Sequence, residues 1–313
     1  MNAAVRALAL LAINVKIVPF YVQNGYEGLH SGKIYPLDDR TFLNLSLTMG
    51  GSRIGSSRFE AMKQEKVRME MVEQLLAKNI ETLVVIGGDG SYFGASLLAQ
   101  AGINVIGLPG TIDNDVSSTG ITIGFDTSLN GIVTNVNAIQ DTARSHNMCH
   151  LVEVMGRHSP DLAIHAAIAT GANLVITNEN VMQPVEITKK IKEFLTNGAT
   201  SLIILISENI YGIEKLPSLS EIAKLITSEC GIQTRASVLG YSQRGGKPTA
   251  AENVNAALMA KTAIDNLING KKNFTVGLNG TSAYITPIEQ AVKIVKPSRK
   301  EMILLANTLG NSR

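Results

Sequence analysis

The residues richest in chemistry lie between Leu83 and Asp115, LVVIGGDGSYFGASLLAQAGINVIGLPGTIDND. Gly87-Gly88-Asp89-Gly90-Ser91 follows one short apolar run, and Pro109-Gly110-Thr111-Ile112-Asp113-Asn114-Asp115 follows another. Glycine removes side-chain bulk, so backbone N–H groups can approach an anion, and a helix starting there turns its positive end toward the same charge. The run from Gly87 to Ser91, with Gly88 and Gly90 inside it, is therefore a candidate phosphate cradle. A carboxylate in such a cradle repels phosphate unless a divalent cation separates them, which pairs Asp89 with Mg2+. Asp113 and Asp115 lie two residues apart, and one of two such carboxylates can hold a metal while the other takes a proton. Taken singly, each stretch is better explained as a tight turn rich in Gly and Asp. Together, at the C-terminal ends of consecutive parallel strands, they point to ligand binding.

The elements that must position these groups can be read from periodicity. Strands are predicted over 82–86 and 104–108, with a helix between them over 92–100 and a loop over 109–115. Upstream, residues 2–11 are apolar nearly all round, as in a helix packed on a sheet, and 15–22 reads as the strand after it. Residues 25–29 read as a turn, and 33–58 as loop with one short helix. Within that stretch Gly50 to Arg58 mixes glycines, hydroxyls and arginines and reads as a surface loop suited to an anion. A helix over 66–78 carries Val67, Met71, Val72 and Leu75 on one face.

Beyond Asp115, helices over 127–145, 160–170, 184–196, 218–229 and 249–267 alternate with strands over 151–154, 174–177, 202–206 and 235–239. This alternation predicts an α/β protein with parallel sheets covered on both faces. Right-handed crossovers gather the strand ends on one side, so Asp89, Asp113, Arg157, Glu208, Arg235 and Arg244 could line one cleft.

Composition narrows the class. The chain has 313 residues, 45% hydrophobic, 17% charged and 4% aromatic, enough for one large domain or two smaller ones with sizeable cores. A formal charge of +2 and the lack of a basic tract interleaved with aromatics argue against nucleic acid. No apolar run is long enough to span a membrane, and the apolar start lacks a small-residue cleavage site. Cys149 and Cys230, far apart and without ligand spacing, read as reduced thiols of a cytoplasmic protein.

The motifs resemble those of the ATP-dependent 6-phosphofructokinase family. Gly87 to Ser91, PGTIDND, Val152-Glu153-Val154-Met155-Gly156-Arg157, Ser207-Glu208 and Gln243-Arg244-Gly245-Gly246 appear in the family's order and at similar spacing. The likeness covers nearly the whole chain. It implies two Rossmann-like three-layer domains with mostly parallel sheets, expected over 1–123 plus about 237–290 for nucleotide and 124–236 plus about 291–313 for sugar phosphate. It also implies a homotetramer that moves the γ-phosphoryl of MgATP to the 1-hydroxyl of fructose 6-phosphate, a step of glycolysis.

By matching motif, Asp113 would be the general base with Thr111 beside it, and Arg157 would stabilise the transferring phosphoryl. Asp89 would hold Mg2+ together with Asp115. Glu208 and the backbone of Met155 and Gly156 would grip sugar hydroxyls. Arg235, from a neighbouring subunit, and Arg244 would bind the 6-phosphate, in a pocket that also includes Tyr241. Arg58 would approach the nucleotide phosphates, with Gly88, Gly90, Ser91 and Gly110 around them. Gly90 and Gly110 match the ATP-using branch, whereas pyrophosphate-using relatives carry Asp and Lys there.

The chain departs from the family in four places. The family's opening strand and glycine-rich loop do not precede Met1, Met148 replaces a phosphate-binding arginine, and Tyr241 replaces a histidine. The effector loop, usually lysine-rich, reads Asn197-Gly198-Ala199-Thr200, so weak or no activation by ADP is expected. An active sugar-phosphate kinase and a non-catalytic or regulatory paralogue are both compatible with the residues. Intact Asp89, Asp113 and Arg157 favour the first, and the absent opening loop the second.

Overall fold

The computed structural model describes residues 1–37, 47–213 and 216–311. It divides into two compact units, one of residues 1–111, 115–126 and 247–296, the other of 112–114, 127–246 and 297–313.

The first unit opens with α1 (Asn2–Asn14), β1 (Phe20–Val22), α2 (Gly25–His30) and β2 (Ile34–Pro36). There follow α3 (Glu65–Leu76), β3 (Thr82–Gly87), α4 (Asp89–Gln100), β4 (Asn104–Thr111) and β5 (Ile123–Gly124). Its sheet runs β11-β10-β4-β3, with β5 beside β4; β10 (Phe274–Asn279) is parallel to β4 and antiparallel to β11 (Ser282–Pro287).

Both faces of the sheet's centre are covered, which is why β4 and β10 are mostly buried and apolar, whereas the edge strand β11 is partly exposed. On one face Ala4, Leu8 and Ala12 of α1 meet Ala256, Ala260 and Ala263 of α9 (Ala250–Ile268) over Ile106, Leu108 and Val276. Small side chains let the two helices approach closely. The other face buries Leu29, Met71, Leu75, Ala95 and Leu98 against Val85 and Val105.

A short helix, α10 (Ile288–Ala291), follows β11, and the long helix α5 (Phe125–His146) precedes β6. The second unit has a parallel sheet in the order β7-β8-β6-β9, from β6 (Cys149–Val154), β7 (Leu174–Ile176), β8 (Leu202–Ser207) and β9 (Thr234–Val238). Every residue of β8 is buried, as its central place and its sequence LIILIS require. One face packs on α7 (Pro184–Thr196) and α8 (Leu219–Cys230) through Ile187, Ile191, Phe194, Ile222 and Ile226. Each of these helices starts with a capping box, Gln183 with Glu186 and Ser218 with Glu221. The opposite face carries α6 (Asp161–Thr170) and α11 (Lys300–Asn311), and Asn307 Oδ1 accepts the Val175 N–H at 2.8 Å. Strand β9 is the edge, and Arg235, Ala236 and Val238 are exposed on it.

Several boundaries differ from the sequence reading for local reasons. The strand expected over 15–22 is reduced to 20–22, because Lys16 turns left-handed at φ +63° and the Ile17 N–H closes back onto Ala12. Residues 25–30 form a helix, not a turn. Strand β4 runs on to Thr111, so Gly110 and Thr111 are sheet residues rather than loop. Helix α4 starts at Asp89, three residues earlier than expected. The short helix expected within 33–58 is not found among the described residues there, and 38–46 lie outside them.

The second unit includes residues up to Gly246, and within it Gln243 is bonded to Met155 beside β6. The β10–β11 hairpin had a signal that the periodicity reading passed over. Gly280-Thr281 is a two-residue turn between the paired Asn279 and Ser282, with Gly280 at φ +59°. Among the described residues no helix is long and apolar enough to cross a membrane. Cys149 and Cys230 are free, and burial pushes the Cys149 thiol up to about 12.

Candidate active site

In the first unit the candidate cradle forms where β3 meets α4. Gly88 is the N-cap, and its carbonyl accepts the N–H groups of Ser91 at 2.9 Å and Tyr92 at 3.0 Å. The N–H groups of the very first helical residues have no such acceptor, which leaves those of Asp89 and Gly90 for an anion. Gly87 is required by packing, since a β-carbon there would lie 2.3 Å from Ser91 Oγ. The start of the helix is anchored by Tyr26, whose hydroxyl donates to the Ser91 carbonyl at 2.6 Å. Burial pushes the Tyr26 phenol upward, so it stays a donor.

Register sets Gly87 opposite Pro109, so the Gly88 turn and the end of β4 are neighbours. A β-carbon on Gly88 would lie 3.4 Å from Thr111 Cβ, and one on Gly110 would meet Ile86 Cγ2 at 2.9 Å. Gly90 faces open space. Thr111 is half-buried, and its carbonyl accepts Thr122 Oγ1 at 2.7 Å. Asp89 is exposed and Asp115 half-buried. Among the described residues no group of three or more His, Cys, Asp or Glu gathers around a common point.

Arg58 is exposed at the end of an irregular segment pinned from outside. Asn2 donates to the Met49 carbonyl at 3.1 Å and accepts the Arg53 N–H at 2.8 Å, while Ser57 Oγ donates to the Asn24 carbonyl. The surface loop expected there is thus an ordered one.

In the second unit the C-terminal ends of β6, β8 and β9 build a concave site. Chain leaves β6 through Met155, Gly156 and Arg157, with φ +149° at Gly156 and +55° at Arg157. A β-carbon on Gly156 would lie 2.5 Å from the Ser159 carbonyl oxygen, so only glycine makes this turn. Glu208, just past β8, clamps it: Oε1 accepts the Arg157 N–H at 2.7 Å and the Gly156 N–H at 3.2 Å. Arg157 itself is exposed, a cationic side chain on a strained backbone.

Glu153, Val154, Met155, Glu208, Val238, Gly240 and Tyr241 line a cavity of about 170 Å³. Tyr241 is 79% exposed, and the Arg244 guanidinium carbon lies 5.2 Å from its ring centroid, a cation–π stack. Gln243, 2% exposed, ties this segment to β6 by accepting the Met155 N–H at 2.9 Å. Arg235 sits on the outer edge strand, opposite His150 in register, and does not line the cavity. Burial, with Arg235 second, lowers the pKa of His150. Met148 is buried at 7% exposure.

The sequence reading missed Gln243 and Glu153 as site residues. Glu153 had a signal, the lone carboxylate in the mostly buried strand CHLVEV. Burial, followed by the charge of Glu208, raises its pKa above the ordinary glutamate value.

This raised value makes stability depend on pH. Below about pH 4 glutamate is protonated folded and unfolded alike, and Glu153 makes no difference. As pH rises, the unfolded chain ionises first, so stability falls until the folded pKa is passed and stays lower above it. Glu153→Gln removes that loss. Its thermal midpoint is therefore expected to exceed that of the unsubstituted chain at pH 7 by more than at pH 3.5. An offset that does not change with pH would contradict this.

Comparison with known proteins places these features in context. A family model described as "Phosphofructokinase" matches residues 1–267. An ATP-dependent 6-phosphofructokinase of Mesomycoplasma hyopneumoniae is 41% identical, across 100% of this chain and 95% of its own length. The ATP-dependent 6-phosphofructokinase 1 of Clostridium perfringens is 40% identical, across 99% and 95%. Among solved structures, the phosphofructokinase of Saccharomyces cerevisiae superposes with a TM-score of 0.85 at 29% identity, covering 99% of this chain. The present chain spans 46% of that yeast chain. A pyrophosphate-dependent phosphofructokinase of Marinobacter aquaeolei shares the fold, with a TM-score of 0.80 at 18% identity over 96% of this chain and 82% of its own.

Proposed function

The chain belongs to the phosphofructokinase family, and from that premise we infer that it transfers the γ-phosphoryl of ATP to fructose 6-phosphate. The products are fructose 1,6-bisphosphate and ADP, in glycolysis. The observation that carries this is the likeness to ATP-dependent relatives over the full chain, with the motif residues in place.

We propose that the first unit takes the nucleotide. Gly88, Gly90 and Ser91 surround its phosphates, with the Asp89 and Gly90 N–H groups of the first turn turned to them, Gly110 keeps the end of β4 free of side-chain bulk, and Arg58 adds a positive charge. Because a β-carbon at Gly110 has no room, the lysine of the pyrophosphate-using branch would have to displace Ile86, which supports ATP as the donor. Mg2+ ordinarily takes one or two carboxylates, several waters and the substrate phosphates, so the exposed Asp89, with Asp115, fits it without a three-ligand protein cage. Bound there, the ion would neutralise phosphate charge.

The second unit, in this reading, takes the sugar phosphate. Glu208 already has one oxygen committed to the Gly156 and Arg157 N–H groups, which leaves the other for a sugar hydroxyl. The backbone at Met155 and Gly156 flanks it. Arg244, stacked on Tyr241, and Arg235 bind the 6-phosphate. Arg235 points outward from an edge strand, which supports its serving a neighbouring subunit of a homotetramer. Asp113 removes the proton of the 1-hydroxyl with Thr111 adjacent, and Arg157 offsets negative charge on the phosphoryl in flight. The protein works in the cytoplasm.

Steady-state ADP release from MgATP, with and without fructose 6-phosphate, tests the assignment. Release that depends on the sugar is expected. Absence of sugar-dependent release, or turnover with pyrophosphate in place of ATP, would overturn it.

Control by ADP is expected to be weak. The segment Asn197 to Thr200 after α7 has no cationic side chain, and Gly198 turns it at φ +93°. Half-saturation by fructose 6-phosphate should move by less than about twofold on adding ADP, against the roughly fivefold or more of ordinary allosteric coupling. Sugar saturation curves with and without ADP measure this.

A further inference from the structure

The residue after Asp113 is held by a buried ionic network that none of the roles above uses. Asn114 is 3% exposed and adopts φ +53°, and its Nδ2 donates to Asp161 Oδ2 at 2.7 Å. Asp161 opens α6 and is 1% exposed. Its carboxylate also receives the fork of Arg299, Nε to Oδ1 at 2.8 Å and Nη2 to Oδ2 at 3.1 Å. Arg299 lies just before α11 and is itself fixed, since its backbone N–H donates to Glu179 Oε2 at 2.8 Å and Ser298 Oγ donates to the same oxygen.

Bidentate pairs of this kind hold direction as well as charge. Here the direction matters, because residues 112–114 group with the second unit while Thr111 and Asp115 on either side group with the first. The three residues that include Asp113 are thus attached to α6 and to the segment before α11. A misplacement of about 1 Å at a reacting group can cost a hundredfold in rate even when its cause lies away from the chemistry.

We propose that Asp161 and Arg299 are positioning residues that act through Asn114. They fix the backbone carrying Asp113, so a C-terminal arginine far off in sequence sets the turnover number without touching substrate. This rests on the reading of Asp113 as the general base.

Three variants of the full chain test it. Asn114→Gly keeps the left-handed backbone at little steric cost and leaves the Asp161–Arg299 pair intact, so it folds while losing the tether. Its kcat is expected to fall about tenfold to a hundredfold. Its KM values for ATP and fructose 6-phosphate should stay within about twofold, the pattern of an interaction that matters only at the transition state. Arg299→Lys keeps the charge and loses the fork, and its kcat should fall in the same direction by less. Asp113→Ala is the control for the base.

Unchanged kcat in Asn114→Gly would overturn the tether. So would a fall in kcat with both KM values rising together, as general loosening produces. If Asp113→Ala kept full turnover, the reading of the base would fail and the tether with it. Loss of turnover in Asp113→Ala beside unchanged kcat in Asn114→Gly would remove the tether alone.

Discussion

With Asp113 replaced by alanine, ADP release that depends on fructose 6-phosphate is expected to fall about a thousandfold, within the range measured for loss of a general base. The loss should appear in kcat. Asp113 is assigned to the hydroxyl proton, while Glu208 and Arg244 are assigned to holding the sugar phosphate, so affinity for fructose 6-phosphate should change little. Calorimetric titration of the sugar phosphate and steady-state kinetics separate the two effects. Asp113→Asn should behave alike, since an amide keeps the shape but accepts no proton. A loss of less than about tenfold, or a loss of binding that accounts for all of it, would take the base role away from Asp113.

Replacing Arg157 by glycine should make the protein slower and more stable at once. Arginine at φ +55° stores backbone strain, and glycine adopts that conformation freely. After glycine's greater freedom in the unfolded chain is subtracted, a gain of up to about 1 kcal/mol remains, visible as a higher thermal midpoint. The Glu208 clamp on the Gly156 and Arg157 N–H groups survives the change, because it uses backbone only. What is lost is the guanidinium opposite developing phosphoryl charge, worth about a thousandfold or more in kcat in enzymes that use an arginine in this way. Arg157→Lys keeps the charge without the fork and should recover part of the rate but none of the stability. If Arg157→Gly were fully active, Arg157 would have no catalytic part. If it were also less stable, its conformation would not be strained.

Much of the fold was legible because parallel sheets buried on both faces leave long apolar strands punctuated by polar turns. The elements 82–87, 184–196 and 202–207 were read to within a residue for this reason. Other segments were misread where a local conformation overruled the pattern. Lys16 in a left-handed turn cut the expected strand short, and the helix at 25–30 is too brief to show a period. Part of the site was legible too, since Gly87, Gly110 and Gly156 stand where a β-carbon would collide with its neighbours. Gln243 and the network of Asn114, Asp161 and Arg299 were not. Their partners lie 88, 47 and 138 residues away, and pairing at such a distance leaves no period to read.

The sequence by itself determined the α/β class and the strand-to-helix turn at Gly88, and it supplied the candidate groups for phosphoryl chemistry. These depend on residue type and on neighbours a few places along the chain. Tertiary structure alone decided the surroundings of each carboxylate. Glu208 folds its oxygen onto two backbone N–H groups, Glu153 is half-buried beside it with a raised pKa, and Asp161 disappears into an ion pair. The physical reason is that a carboxylate's role follows from its solvation and from the donors around it. Those are assembled only when strands distant in sequence come to lie side by side.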